Sequence, residues 1–210
     1  TTATAYADLP ALDAAARGTG VRLDRGDVIL VGHGDARLSS ANGCTINCLQ
    51  TLADAVAAKT RHVRNIVGDD SWFPDERWGP GMSWNNIQSR YGTGISALTL
   101  DDNEVTASVA PAAIGASPAV TAPAYYGIDN RIITVPGKSE AITADRAPNS
   151  RLIRLTGTIG VEARPATLHF SIDDPGHYAA WRLREALLAR GVRVDGDILT
   201  RHRPLAPAGD

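Results

Sequence analysis

Residues 21–31, VRLDRGDVILV, decide the fold. Val21 and Leu23 alternate with polar residues, the run Asp24-Arg25-Gly26-Asp27 needs its glycine for a tight turn, and Val28-Ile29-Leu30-Val31 is continuously apolar, so the stretch predicts a β-hairpin. Gly32-His33-Gly34-Asp35 closes the second strand. From about Thr45 the apolar residues Ile46, Leu49, Leu52, Ala53 and Val56 fall on one helical face that ends near Lys59. Residues 63–67 then make a short apolar strand leading into Gly68-Asp69-Asp70. Strand, helix, strand is a βαβ-like unit, and the fold class expected is α/β, in the mixed α+β sense.

Further along, residues 95–100 and 105–109 read as strands separated by the turn-forming run Asp101-Asp102-Asn103. Up to Ile172 there is no helical period, only short apolar pieces at 132–135, 152–155 and 168–170, split by Pro, Gly and Asn. This middle third predicts a small, mostly-β module inserted into the α/β part. Asp174 offers an N-cap and Pro175 a first helical position. The following helix turns Ala180, Leu183 and Leu187 inward, with Trp181 and Leu188 at the margin and Arg184 packing its stem. Gly191 closes it, Val192, Val194, Ile198 and Leu199 return to a sheet, and residues 204–210 form a tail or linker. The domain expectation is therefore a discontinuous α/β domain of residues 1–103 and 172–205, and a β module of residues 104–171.

Composition excludes several classes. With 210 residues, 43% hydrophobic and 21% charged, the chain can bury a core. Its net charge is −2, and its 19 Arg and two Lys are scattered, so no nucleic-acid partner or anionic membrane surface is expected. No apolar run reaches the length of a membrane span, and the N-terminus TTATAYADLP lacks a signal-peptide pattern. The expectation is a chain that begins after any targeting signal. Cys44 and Cys48 are four apart at a helix start, where helical geometry puts their Cα atoms about 6 Å apart with poorly directed Cβ vectors. Two buried or partly buried thiols are expected; a strained disulfide is the alternative an oxidising compartment would favour, and half a zinc site lacks a second Cys pair. The five His have no ligand-like spacing, and His33-Gly34-Asp35 reads as a turn rather than a metal site. Neither a cofactor nor a metal is expected.

Residues 69–103, DDSWFPDERWGPGMSWNNIQSRYGTGISALTLDDN, hold three of the four Trp. They are too aromatic for a solvated loop and too broken by Pro and Gly for a helix, so an ordered irregular segment is expected, with Trp72, Phe73, Trp78 and Trp84 stapling it to its own domain. DDSWF, the Pro-Gly-x-x-Trp turn at 80–84, Tyr91 and SALTLDDN resemble the non-catalytic insert of the DacB-type D-alanyl-D-alanine carboxypeptidase/endopeptidases of peptidase family S13, which are penicillin-binding proteins. VILVGHGDARL at 28–38, HFSIDDP at 169–175 and LLARGVRVDGD at 187–197 agree in type and order.

The resemblance implies an active site of Ser-x-x-Lys, Ser-x-Asn and Lys-Thr-Gly, in which the Lys helps activate the Ser. Here the residues three before Lys59 and Lys138 are Val56 and Val135, and Lys138 is followed by Ser139-Glu140, so the first and third elements are missing. Ser-x-Asn occurs at Ser40-Ala41-Asn42 and Ser83-Trp84-Asn85, neither where the family places it. There is no Gly-x-Ser-x-Gly or His-Glu-x-x-His, and the paired carboxylates Asp69, Asp70, Asp101 and Asp102 are explained by turns or caps. The resemblance thus implies an accessory-domain fragment of a periplasmic or otherwise extracytoplasmic enzyme acting in peptidoglycan remodelling. Its partners would be the parent's catalytic domain and the peptidoglycan stem peptide. It further implies a substrate-cleft edge at Asn86, Tyr91 and Trp84, facing the diaminopimelate end of the peptide, with Asn86 where relatives carry an acid. The alternative is a self-standing cell-wall binding or interaction module without enzymatic activity.

Overall fold

A computed structural model describes residues 19–205. In chain order these carry β1 (Gly20–Asp24), β2 (Asp27–Val31), α1 (Leu49–Lys59), β3 (His62–Val63) and β4 (Ile66–Pro74), then β5 (Glu104–Ala110), β6 (Ala119–Thr121), β7 (Gly127–Val135), β8 (Glu140–Asp145), β9 (Leu152–Gly160) and β10 (Ala166–Ser171). The last elements are α2 (Pro175–Leu188), β11 (Arg193–Val194) and β12 (Ile198–Arg203). The fold is mixed α+β. The chain forms two compact units: one gathers the chain up to Gly79, Gly94–Asn103 and the chain from Asp174 onward; the other gathers Pro80–Thr93 and Glu104–Asp173. Residues 80–93, read from sequence as part of the α/β domain, thus cluster with the β unit, because Ser89 bridges Phe170 of β10. Residues 1–18, counted in the first domain, and all of the expected tail beyond Leu205 lie outside the described residues.

In the first unit a four-stranded sheet has the order β1-β2-β4-β12. Its hairpin turns at Arg25 and Gly26, with φ of 49° and 89°, the double left-handed turn whose twist suits a two-residue connection. β2, β4 and β12 are mutually parallel, so α1 is the crossover of a β2–α1–β4 unit, as the sequence pattern predicts. Val28, Leu30 and Ile66 of the sheet, Leu49, Leu52 and Val56 of α1 and Leu183 and Leu187 of α2 are all fully buried, with α1 packed on β1 and α2, and α2 on β4 and β12. β4 and α2 approach so closely that a Cβ on Gly68 would run into the Gly176 carbonyl. Asp174 caps α2 by accepting from His177 N at 2.9 Å, and Gly191 follows the helix at φ 72°.

Four expectations change. The helix starts at Leu49, so Ile46, assigned to its apolar face, is 69% exposed: Asn47 at φ 57° and a Cys44–Cys48 disulfide break the pattern before it. That disulfide replaces the expected pair of thiols; its Cα atoms are 5.7 Å apart because the two residues precede the helix and escape its Cβ directions. β4 runs on through Asp69 to Pro74, so the aromatic stretch begins as strand. Residues 95–100 form no strand beyond one bridge, Leu98 with Asp35: Ser96 Oγ and Asn103 Oδ1 take the amides of Leu98 and Leu100 instead. Asp101, Asp102 and Asn103 then stand in succession at φ of 50°, 56° and 52°, a conformation that Asp and Asn tolerate.

The second unit holds two three-stranded sheets, β10-β5-β6, antiparallel throughout, and β7-β9-β8, in which β7 and β9 run parallel. The β5–β6 connection lies along β7, with Gly115 N donating to Thr134 O and Thr134 N to Ala116 O. Ile132, Ile153, Leu155 and Ile159 fill one core and Val105, Ala107 and Val109 line the other sheet.

Leu52→Ala, which empties a fully buried site on α1, is expected to cost about 2–5 kcal/mol of unfolding free energy. Asp174→Ala, which removes the cap and the 3.6 Å contacts to Arg77 and His202, should cost less, about 1 kcal/mol for the cap itself. Chemical denaturation of both variants, compared through the denaturation midpoint at unchanged m-value, checks the ranking.

Candidate functional site

Residues 82–93 hold the exposed aromatic surface of the second unit. Trp84 is 68% and Tyr91 70% exposed, and Met82 is exposed beside them in sequence. Trp84 and Asn86 bound one single-turn 3-10 helix, Trp84–Asn86, and Tyr91 is the centre of another, Arg90–Gly92. The segment thus brings all three residues named from the resemblance onto two consecutive turns, with the Asn86 side chain half-buried. Trp84 staples nothing: its ring is mostly in solvent, as is that of Trp72 in the first unit, whereas Phe73 packs over the Gly34 backbone. Sequence reasoning overstated the stapling role because aromatic density alone does not distinguish a buried anchor from a displayed ring.

The backbone beneath these rings is held at nearly every residue. Asn86 O accepts from Ser89 N at 3.0 Å, Ile87 O accepts from Ser171 Oγ, and Gln88 O accepts from Ser171 N at 3.3 Å. Ser89 pairs with Phe170, and Thr93 Oγ1 bonds both the amide and the carbonyl of Ile172. A Cβ at Gly92 would run into Asn86 O, so the second 3-10 turn folds back tightly on the first.

Ser171 and Gln88 are fixed in turn by a buried ion pair. Arg146 grips Asp173 in a bidentate fork, Nη1 to Oδ2 at 2.6 Å and Nη2 to Oδ1 at 2.7 Å, with side chains 1% and 6% exposed. Arg146 Nη2 also donates to Ser171 Oγ at 2.9 Å, and Arg146 N donates to Gln88 Oε1 at 2.6 Å. The amide of Asn149 donates to Asp173, and Tyr126 donates its hydroxyl to Ser171 O at 3.0 Å under the Arg146 guanidinium. Burial disfavours the Arg146 charge, but its hydrogen bond to Asp173 and the attraction of the neighbouring Tyr126 and Asp173 groups together outweigh that, and the guanidinium is held above its ordinary range. Burial pushes the Tyr126 phenol up to about 12, against the opposing charge of Arg146.

None of these groups was named as a site from sequence. Arg146 and Asp173 lie 27 residues apart, and no local pattern links them.

A family model described as the D-Ala-D-Ala carboxypeptidase 3 (S13) family matches residues 2–209. The chain belongs to this S13 family. The D-alanyl-D-alanine carboxypeptidase of Actinomadura sp. (strain R39) is 34% identical to it over 188 residues, which cover 82% of this chain and 33% of that protein. Penicillin-binding protein 4 (dacB) from Haemophilus influenzae superposes with a TM-score of 0.66 at 19% identity, over 90% of this chain and 44% of that one. The same protein complexed with a novel β-lactam gives 0.55 at 17% identity, over 86% and 37%. At these identities the likeness carries the fold alone. The S13 chain spans about a third of the length of the curated relative it matches.

In this S13 chain none of Ser40, Ser83 and Ser96 is bonded to a His or Lys base as an activated nucleophile would be. Ser40 is buried, with its hydroxyl tied to Asp101 and taking the Arg182 guanidinium at 3.1 Å. Ser83 donates to Asn85 Oδ1 on the surface. Ser96, Asp70 and His202 do line up, yet in the wrong order: Ser96 Oγ donates to Asp70 Oδ2 at 2.8 Å while His202 Nδ1 meets Asp70 Oδ1 at 2.7 Å, so the imidazole never reaches the hydroxyl. Lys59 and Lys138 are exposed, the latter 3.9 Å from Glu162.

The carboxylates of the central stretch are likewise engaged separately, Asp69 with Ser71 and Arg201, Asp101 with Ser39 and Ser40. His33 meets Trp72 edge-on at 4.9 Å, and buried Asp35 accepts from the Arg37 amide. Among the described residues no cluster of three or more His, Cys, Asp or Glu has metal-holding geometry, and no helix is long and apolar enough to cross a membrane.

Asp173→Ala leaves Arg146 charged and buried without its partner, and is expected to cost about 3–5 kcal/mol, read as a loss of melting temperature and denaturant midpoint. Tyr126 adds a pH signature. Its folded pKa of about 12 exceeds the ordinary value of 10.0, so its stabilisation is complete below the unfolded pKa and is lost as pH rises through the folded one. Unfolding free energy should therefore fall between those two pH values, and Tyr126→Phe should flatten that decline.

Proposed function

We propose that this chain is the accessory, non-catalytic part of an extracytoplasmic serine-type D-Ala-D-Ala carboxypeptidase/endopeptidase acting in peptidoglycan remodelling, and that Trp84, Asn86 and Tyr91 form a substrate-cleft edge for the stem peptide. The observation that carries this reading is the pairing of two rings displayed to solvent with a backbone fixed beneath them. A pre-ordered aromatic platform binds without first losing much conformational entropy, which a loose loop cannot do. Family membership supports this reaction class, and the absence of Ser-x-x-Lys and Lys-Thr-Gly from this sequence supports an acylating site in the parent's catalytic domain, the chain's expected partner. The Cys44–Cys48 disulfide suits an oxidising compartment.

Asn86 tunes what the edge reads. Its neutral amide can accept from an ammonium group but lacks the charge pairing an acid would give. Discrimination between free and amidated diaminopimelyl peptides is therefore weak in this chain, and Asn86→Asp should raise it severalfold in favour of the free form.

Two measurements test the reading. Intact mass after incubation with excess benzylpenicillin should show no adduct; a stoichiometric adduct would place an activated serine within this chain. Titration of a diaminopimelate-containing stem peptide, followed by tryptophan fluorescence, should show binding that Tyr91→Ala and Trp84→Ala each weaken by about 1 kcal/mol or more. Unaltered affinity in both variants would remove these residues from the site.

A further inference from the structure

Tyr91 projects from a turn whose flanks are held in different ways. On the C-terminal side the bare Gly92 is wedged against Asn86 O. On the N-terminal side the hold is electrostatic. Arg90 Nε reaches Glu104 Oε2 at 2.9 Å, and the second oxygen of the same carboxylate, Oε1, meets His169 Nδ1 at 2.5 Å.

Glu104 opens β5 and His169 lies on β10, where the register sets His169 opposite Thr106, so the three side chains share one face of the sheet. Thr106 Oγ1 stands 3.4 Å from the same imidazole nitrogen. Because a carboxylate only accepts, His169 must carry its proton on Nδ1 to bond Glu104. The Glu104 side chain is 13% exposed, against 59% for Arg90 and 33% for His169, so the carboxylate is the sheltered centre and the two bases approach it from more open positions.

We propose that Glu104 is a positioning residue for Tyr91, and that Arg90, Glu104 and His169 act together as an ionic clamp that sets the direction in which the Tyr91 ring is presented. Glu104 makes its ionic contacts with Arg90 and His169. It acts through Arg90, the neighbour of Tyr91 in the chain, and its second contact, to His169, keeps the carboxylate from following Arg90 when the turn moves. The Gly92 wedge fixes where the turn lies; the clamp fixes which way its middle residue points. The inference rests on the proposed stem-peptide role of Tyr91 for its functional consequence, but the positioning itself is observable without any ligand.

The test uses the whole chain labelled with 3-fluorotyrosine, the Tyr91 resonance being assigned through Tyr91→Phe. In the parent sequence Tyr91 should give one narrow fluorine line. Glu104→Gln, which keeps the shape and drops the charge, should shift or broaden that line while the buried tyrosines Tyr125, Tyr126 and Tyr178 keep theirs. Arg90→Gln releases the clamp from its solvent-facing end and keeps the test open if the Glu104 variant does not fold. An unmoved Tyr91 line in folded Glu104→Gln or Arg90→Gln overturns the proposal.

A double-mutant cycle then reads the consequence. Glu104→Gln should weaken stem-peptide binding roughly threefold to tenfold in the parent sequence and have no further effect in a Tyr91→Ala background. Equal losses in both backgrounds would mean a general structural role and would also overturn the proposal. A Tyr91 line that moves in a chain with no peptide affinity leaves the clamp standing and refutes the stem-peptide role instead.

Discussion

The course of the chain beneath the displayed rings depends first on one buried ion pair. Arg146 and Asp173 are both nearly inaccessible, and a pair of this kind is stable only where its remaining hydrogen-bonding capacity is met. Ser171, Asn149 and the Tyr126 ring meet most of it. The groups that satisfy the pair also tie down the chain elsewhere: Ser171 carries the bonds to Ile87 and Gln88, and the Arg146 amide takes the Gln88 side chain. The electrostatic cost of burying two charges is thus converted into a fixed course for residues 86–89. Such a pair contributes less to net stability than to making one arrangement the sole low-energy one.

The same segment shows how rigidity and exposure divide between backbone and side chain. Carbonyls of three successive residues, Asn86, Ile87 and Gln88, are occupied, while Trp84 and Tyr91 stand in solvent at either end. A ring exposed on a held backbone is already ordered for contact, whereas one on a floppy loop must first lose conformational entropy. That distinction, more than the family relation, makes this face the candidate site.

How far the sequence could be read depended on the range of the forces involved. The hairpin at Arg25-Gly26 and the capped start of α2 at Asp174-Pro175 are written in adjacent residues and were legible. The apolar run at 95–100 was misread as strand because its amides are claimed by Ser96 and Asn103 side chains, which compete with a ladder in a way no periodicity reveals. Ile46 fitted a helical face that a disulfide and a left-handed Asn47 had already interrupted. Of the site, the displayed residues Trp84, Asn86 and Tyr91 were named through the family resemblance alone. The charges that hold them were not, since Arg90 finds its partner 14 residues on, and His169 and Glu104 meet across 65.

The parallel pairing of β4 with β12 has a consequence in time. β4 ends at Pro74 and β12 begins at Ile198, so the sheet of the first unit stays open along one strand until roughly 120 further residues have been made. At about 5–20 residues per second that is an interval of roughly 6–25 s. The β unit emerges within that window, its β5 waiting in turn for β10, and can complete its own folding first. The nascent chain therefore carries the unpaired edge of β4 through that interval, and whatever shields Ile66 and Val67 meanwhile governs how much protein reaches the native state.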